Sequence, residues 1–224
     1  MLITIFSIAM AFLESAVVVY LRELYYPDGF MGTFNTMPQR IIIVELIREL
    51  ATLLMLLSVG CIAGQTKYGR LAWFLYCFAV WDIFYYVWLK VFIDWPQTIF
   101  DWDILFLLPV TWLGPILAPV ICSIAMIVFS LWILKGESNG LVTVISKSSR
   151  VLIIAGSLVI YFSFTKDYTS MIIKNGFYKD LVHIMQNPAF IDMAKTFVPE
   201  SFSWLWFLIG LLLISAGFTK SLIH

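Results

Sequence analysis

Apolar positions in this chain run on without the polar interruptions of a strand or of a surface helix. Six stretches, 2–21, 41–63, 71–91, 114–134, 151–168 and 203–219, reach or approach the roughly 20 residues that carry a helix across a bilayer core. The last two are short and are expected to stand upright or to draw the bilayer in around them. Segment 104–134 is nearly all apolar, too long for one span, and interrupted by Pro109, Pro115 and Pro119. Proline inside a helix removes a backbone hydrogen bond and clashes with the preceding turn. Residues 104–112 are therefore expected to form a half-helix or re-entrant piece, broken at Gly114-Pro115 before a full fourth span. Backbone broken at membrane depth must be buried in protein or line a cavity. Farther on, Phe177, Leu181, Ile184 and Met185 recur at helical spacing, Asn187-Pro188 stops that run, and 190–197 makes a second short stretch. This predicts a pair of interfacial helices before the last span, either a lid over an outward pocket or a plain amphipathic connector.

Composition turns this pattern into a class. The chain is 62% hydrophobic and 12% charged, with a mean hydropathy of +0.95. A soluble domain carries roughly 45–50% apolar and about 25% charged residues, so this chain lacks the polar residues to cover a soluble surface. A soluble domain, a disordered chain and a nucleic-acid binder are excluded, and a net charge of zero gives no bulk attraction to acidic partners. The expected fold is an all-α integral membrane protein: one polytopic domain over 1–224, about six transmembrane helices, a Pro-broken fourth segment and interfacial helices before the last span. The first span has no basic residue ahead of it and contains Glu14, so it is expected to remain as a helix and not to act as a signal peptide.

Loop charge gives an orientation. Lys67, Arg70, Lys135, Lys147, Arg150 and Lys220 fall on one side, and Arg22, Arg40 and Lys90 on the other. The richer side is assigned to the cytoplasm, with both termini there. Trp95, Trp102, Trp204 and Trp206 then lie at the outer interface, and Trp73 and Trp132 at the inner one.

Against this apolar background, ionisable residues within spans become candidates for a site. Glu14 lies in the first span, Glu45, Arg48 and Glu49 in the second, and Asp82 in the third. In the expected topology all five sit between the midplane and the outer surface. Glu45, Arg48 and Glu49 share one helix face, as do Asp82, Tyr85, Tyr86 and Lys90, while Glu14 and Arg22 lie two turns apart on one side. The candidate ligand-binding residues are thus Glu14, Glu45, Arg48, Glu49, Asp82, Tyr85 and Tyr86, around an acidic, Tyr-lined pocket with one deep arginine. The competing reading makes Arg48 a staple that locks the bundle. The carboxylates outnumber the guanidinium, however, and the surplus must be protonated, solvated or paired with a bound cation. Asp101 and Asp103 are weak candidates for metal ligation; capping the free amides of the half-helix is the competing role.

Other chemistry is sparse. Cys61, Cys77 and Cys122 lie inside spans without CxxC spacing, and His183 and His224 are the only histidines. No zinc framework, Walker loop, GxSxG elbow, HExxH or dinucleotide fingerprint occurs, and nothing calls for a cofactor.

Several stretches carry a likeness: Phe12-Leu13-Glu14 through Tyr20-Leu21-Arg22, the turn from Glu45 to Glu49, Trp81-Asp82-Ile83-Phe84-Tyr85-Tyr86, Trp102-Asp103-Ile104-Leu105-Phe106-Leu107, Trp112-Leu113-Gly114-Pro115 and Ala118-Pro119. From Met1 to about Lys135 the chain resembles a family of bacterial polytopic membrane proteins to which no activity is assigned. The resemblance implies a place in the bacterial cytoplasmic membrane and transfers no function.

Three functions follow as expectations. The first is a transporter- or sensor-type protein that binds a small solute, a cation or protons in the outward acidic pocket. The second is an accessory or assembly subunit of a larger membrane complex, packing its aromatic surface on protein partners. The third, least favoured, is an intramembrane lipid-modifying enzyme with Asp82, Asp101 and Asp103 around a metal.

Overall fold

The computed structural model of the chain describes residues 1–25, 38–141, 143–180, 184, 187–197 and 199–223. Its helices are α1 (Leu2–Tyr25), α2 (Gln39–Ala63), α3 (Lys67–Ile93), α4 (Leu117–Ser138), α5 (Lys147–Lys174), α6 (Pro188–Thr196) and α7 (Trp204–Thr219). Among the described residues α1, α3, α4 and α5 are long and apolar enough to cross a membrane, and α7 is a shorter apolar helix. Helix α2 has 25 residues and carries Arg40, Glu45, Arg48 and Glu49 in its first half. Side-chain caps start several helices by accepting orphan amides. Thr66 accepts from Gly69 N ahead of α3, Ser146 from Ser149 N ahead of α5, and Asn187 from Ala189 N and Phe190 N ahead of α6. Because Ser146 caps early and the helix continues to Lys174, α5 has 28 residues. The short fifth span expected over 151–168 is thereby corrected.

Helix α3 is central to one part of the bundle. It packs against α1, α2 and α4, while α5 packs against α7. Met10, Ala11, Leu56, Cys77 and Trp81 form one buried cluster, and Ala118, Ile160, Phe164, Phe202 and Phe207 form another.

Between α3 and α4 the expected half-helix is a β-hairpin. Strand β1 (Trp102–Phe106) pairs antiparallel with β2 (Trp112–Pro115), with a bulge between Ile104 and Phe106. Proline explains the correction: the residue before Pro109 is pushed out of helical backbone, so 104–112 cannot continue as a helix. Pro115 has no amide to donate, which suits it to the end of an edge strand. The hairpin wedges between the two clusters, with Phe106 packed on the first and Trp102, Leu105 and Trp112 on the second. A second short pair, β3 (Thr143–Val144) with β4 (Leu222–Ile223), ties the segment before α5 to the end of the chain.

The segment before α7 also differs from expectation. Phe177–Asp180 is a 3₁₀ turn, and α6 is the second short helix. Leu181 and Met185, on which the first interfacial helix rested, lie outside the described residues. Phe190 of α6 packs edge-on against Phe177 and Tyr168 at the end of α5.

Candidate functional site

Helices α1 and α2 both lean on α3, and polar side chains link them to each other. Arg48 Nη1 donates to Glu14 Oε1, and Thr52 Oγ1 donates to Glu14 Oε2 at 3.2 Å. Arg48 also donates through Nε to Glu45 Oε2 at 2.8 Å, with Nη2 2.6 Å from the same oxygen. The guanidinium thus pairs with one carboxylate on its own helix and one on α1. Glu49, on the next position of α2, takes the backbone amide of Leu107, at 3.0 and 3.1 Å from its two oxygens. That amide opens the turn of the hairpin, where the strand ladder supplies no acceptor. One α2 carboxylate therefore helps anchor irregular backbone against the helices.

The third helix contributes Trp81, Asp82, Tyr85 and Tyr86 from adjacent turns. Asp82 Oδ2 accepts from Ser123 Oγ of α4 at 2.8 Å. Together these groups enclose a cavity of about 70 Å³, lined by Glu14, Arg48, Glu49, Thr52, Trp81, Asp82, Tyr85 and Tyr86, with Val18 and the hairpin residues Ile104, Leu105 and Phe106. Trp81 is 6% exposed and its Nε1 has no hydrogen-bond partner among the described residues. A buried donor left unmatched costs about 1–3 kcal/mol. The lining holds one guanidinium and three carboxylates.

Of the seven candidate ligand-binding residues, six border this cavity. Glu45 does not; it stands behind Arg48 and holds its guanidinium. Lys90, expected on the same stripe as Asp82, turns away to Asp94 at 2.7 Å and to the Pro96 carbonyl at 3.0 Å. Arg22 reaches Asp103 of the hairpin at 3.6 Å and stacks over Trp95. Asp101 caps no helix. Its carboxylate accepts from Gln97 N at 2.7 Å and from Thr98 N and Oγ1 at 3.2 and 2.7 Å, closing the turn before β1. Among the described residues no three His, Cys, Asp or Glu side chains are grouped to hold a metal ion. Asp82, Asp101 and Asp103 are not brought together as one such group. No described residue of the 168–200 segment lines the cavity.

Two carboxyls outside the spans have perturbed acidity. The Lys90 ammonium and the Gln97 side-chain amide hold Asp94 below the usual carboxylate range. Partial burial opposes ionisation of Asp101, but the hydrogen bonds from Thr98 and Gln97 and the charge of Lys90 outweigh it and hold Asp101 low as well.

The sequence reading missed Thr52, Trp81 and the hairpin edge. Thr52 continues the Glu45, Arg48, Glu49 face at helical spacing, and Trp81 precedes Tyr85 by four positions, so both were within reach of the same stripe argument. Ser123 carried no signal, since a serine in an apolar helix ordinarily bonds its own backbone.

Comparison of the chain with family models, with curated proteins and with solved structures gives no match.

Proposed function

We propose that this chain is a multi-pass protein of the bacterial cytoplasmic membrane whose cavity binds protons or a small monovalent cation, in the manner of a transporter or sensor. In this reading α1, α2, α3, α4, α5 and α7 are the six spans, both termini are cytoplasmic, and the cavity lies in the outer half of the bundle. The resemblance to bacterial polytopic proteins fits that setting and adds no activity. The observation that carries the reading is the charge balance. Arg48 is already matched by Glu14 and Glu45, yet Glu49 and Asp82 border the same cavity and, among the described residues, no other basic residue does. Buried carboxylates without a counter-charge take up a proton or a cation. Size narrows the ligand. A cavity of about 70 Å³ has room for a few waters or a small ion, and not for a metabolite of ordinary size.

The test is thermal unfolding of the detergent-solubilised protein at constant ionic strength, across pH and with sodium, potassium or ammonium in place of choline. A saturable rise in unfolding temperature with one of these ions or with acidification is expected, and Asp82→Asn and Glu49→Gln should weaken it while the variants stay folded. Identical curves for all ions and pH values in the parent chain sink the reading.

A second reading, an accessory subunit of a membrane complex, is favoured by one surface. Ile5, Ile8, Ala9, Phe12 and Leu13 of α1 and Trp88 of α3 line an apolar groove of about 500 Å³. Sizing the particle extracted in mild detergent tests it, and a monomer of 25.7 kDa plus its micelle counts against it.

A further inference from the structure

Arg22 lies one helical turn beyond Val18 on α1, and the two residues face different surroundings. Val18 borders the cavity, whereas the Arg22 guanidinium carbon sits 3.8 Å from the centroid of the Trp95 ring. Nη2 approaches Asp103 Oδ1 at 3.6 Å. A guanidinium that engages a carboxylate in full makes two parallel contacts of about 2.7–2.9 Å. Here a single long contact is made. The other oxygen, Oδ2, is buried without a hydrogen-bond partner among the described residues, and Asp103 as a whole is 4% exposed. The Tyr86 hydroxyl and the Ile104 backbone amide donate to the same carboxyl without satisfying Oδ2. Arg22 therefore covers the indole face well and satisfies the carboxylate poorly.

An indole face, a buried carboxylate with an unmatched oxygen and a phenol hydroxyl together recognise an organic cation with N–H donors. We infer that Trp95, Asp103 and Tyr86 form a second cation site, for a guanidinium- or primary-ammonium-bearing molecule, and that Arg22 is its tethered occupant. The site adjoins the cavity without sharing its carboxylates: Tyr86 and Ile104 border the cavity, while Asp103 does not. The neighbouring cation Lys90 is engaged with Asp94 and the Pro96 carbonyl, which leaves Arg22 as the competitor that an incoming cation must displace. A tethered competitor weakens the apparent affinity of a free ligand in inverse proportion to the fraction of time it leaves the site open.

The test uses the full chain in mild detergent, with methylguanidinium and methylammonium as probes and sodium at equal ionic strength as control. In Arg22→Ala the probes should raise the unfolding temperature saturably, with half-saturation at least about tenfold lower than in the parent chain, where Arg22 competes. Arg22→Gln, measured alongside, keeps much of the side-chain bulk and serves if the alanine variant fails to fold. Adding Asp103→Asn to either variant should remove the response; adding Asp82→Asn should leave it. Equal half-saturation with and without Arg22 overturns the assignment, as does a response that survives Asp103→Asn. A response that depends on Asp82 and not on Asp103 overturns it too, by placing the probe in the inner cavity. The cavity reading stands or falls on a different observation, the ion and pH dependence of a chain in which Arg22 is intact.

Discussion

Helices α5 and α7 meet backbone to backbone, whereas α1 and α2 meet through charged side chains. At the first junction a Cβ placed on Gly156 would lie 2.6 Å from the Gly210 carbonyl oxygen, and one placed on Gly210 would lie 2.8 Å from the Gly156 carbonyl oxygen. Phe164, Phe202 and Phe207 close the space above that contact with edge-on and tilted rings. At the second junction Arg48, Glu14 and Thr52 hold the helices to each other across a cavity. Small residues let two helices approach without any polar group being buried, and shape alone then specifies the pairing. Charged residues cannot interdigitate in that way. They need partners and room, so the junction they make keeps a void and a charge imbalance. In this chain the region proposed to bind a cation is the one whose helices keep a void between them.

Breaking each junction should show the difference, and the largest effect is expected at the charged one. Arg48→Met strands the buried Glu45 and the partly buried Glu14, and removing one partner of a buried pair typically costs about 3–5 kcal/mol. Chemical denaturation in micelles should show that loss, with part of it regained when Glu14→Gln is added; full stability in the single variant would mean that the carboxylates were never paired. At the apolar junction Gly210→Val forces α5 and α7 apart, with an expected cost of about 1–3 kcal/mol. Here no charge substitution elsewhere should restore it, whereas Gly156 and Gly210 substitutions should be non-additive because they disturb the same contact. The smallest effect lies outside both junctions. Asp101→Ala removes the acceptor that closes the turn before β1 and should cost about 1 kcal/mol. Because the folded protein holds this carboxyl low, its contribution is present above the unfolded value of about 3.9 and is lost as pH falls through the lower folded value. The parent chain and Asp101→Ala should therefore converge in unfolding temperature on acidification, and curves that stay parallel down to strong acid would show that the turn contributes nothing.

The helices and the charged faces are legible in the sequence because both follow from spacing. Unbroken apolar runs mark helices of spanning length, and residues three and four apart share a face wherever the helix stands. That logic is enough to gather Glu14, Arg48, Glu49, Asp82, Tyr85 and Tyr86 around one space. It fails for 104–112, because apolar content identifies burial without identifying backbone. Proline excludes a continuous helix there, and the choice of a hairpin depends on the pairing of Trp102–Phe106 with Trp112–Pro115, a contact that periodicity cannot see. Arg22 fails for a related reason. Its spacing from Glu14 suggests one neighbour, and the hairpin supplies another in Asp103. The partner of Asp82 is hidden because Ser123 on α4 looks like any small residue in an apolar helix.

The bond from the Leu107 amide to Glu49 joins residues 58 positions apart, and the chain emerges from the ribosome in order. When α1, α2 and α3 have been synthesised, the donor that Glu49 will accept from has not yet been made. Arg48 and Glu14 can already find each other at that stage, so the first three helices can gather around their charges before the hairpin arrives. Docking of the hairpin on Glu49 must wait until Leu107 is made, and the bond from Ser123 to Asp82 until α4 is made. The polar cavity thus joins parts of the chain made early and late: Glu49 and Asp82, the two lining carboxylates that Arg48 does not pair, are the ones bonded to the hairpin and to α4.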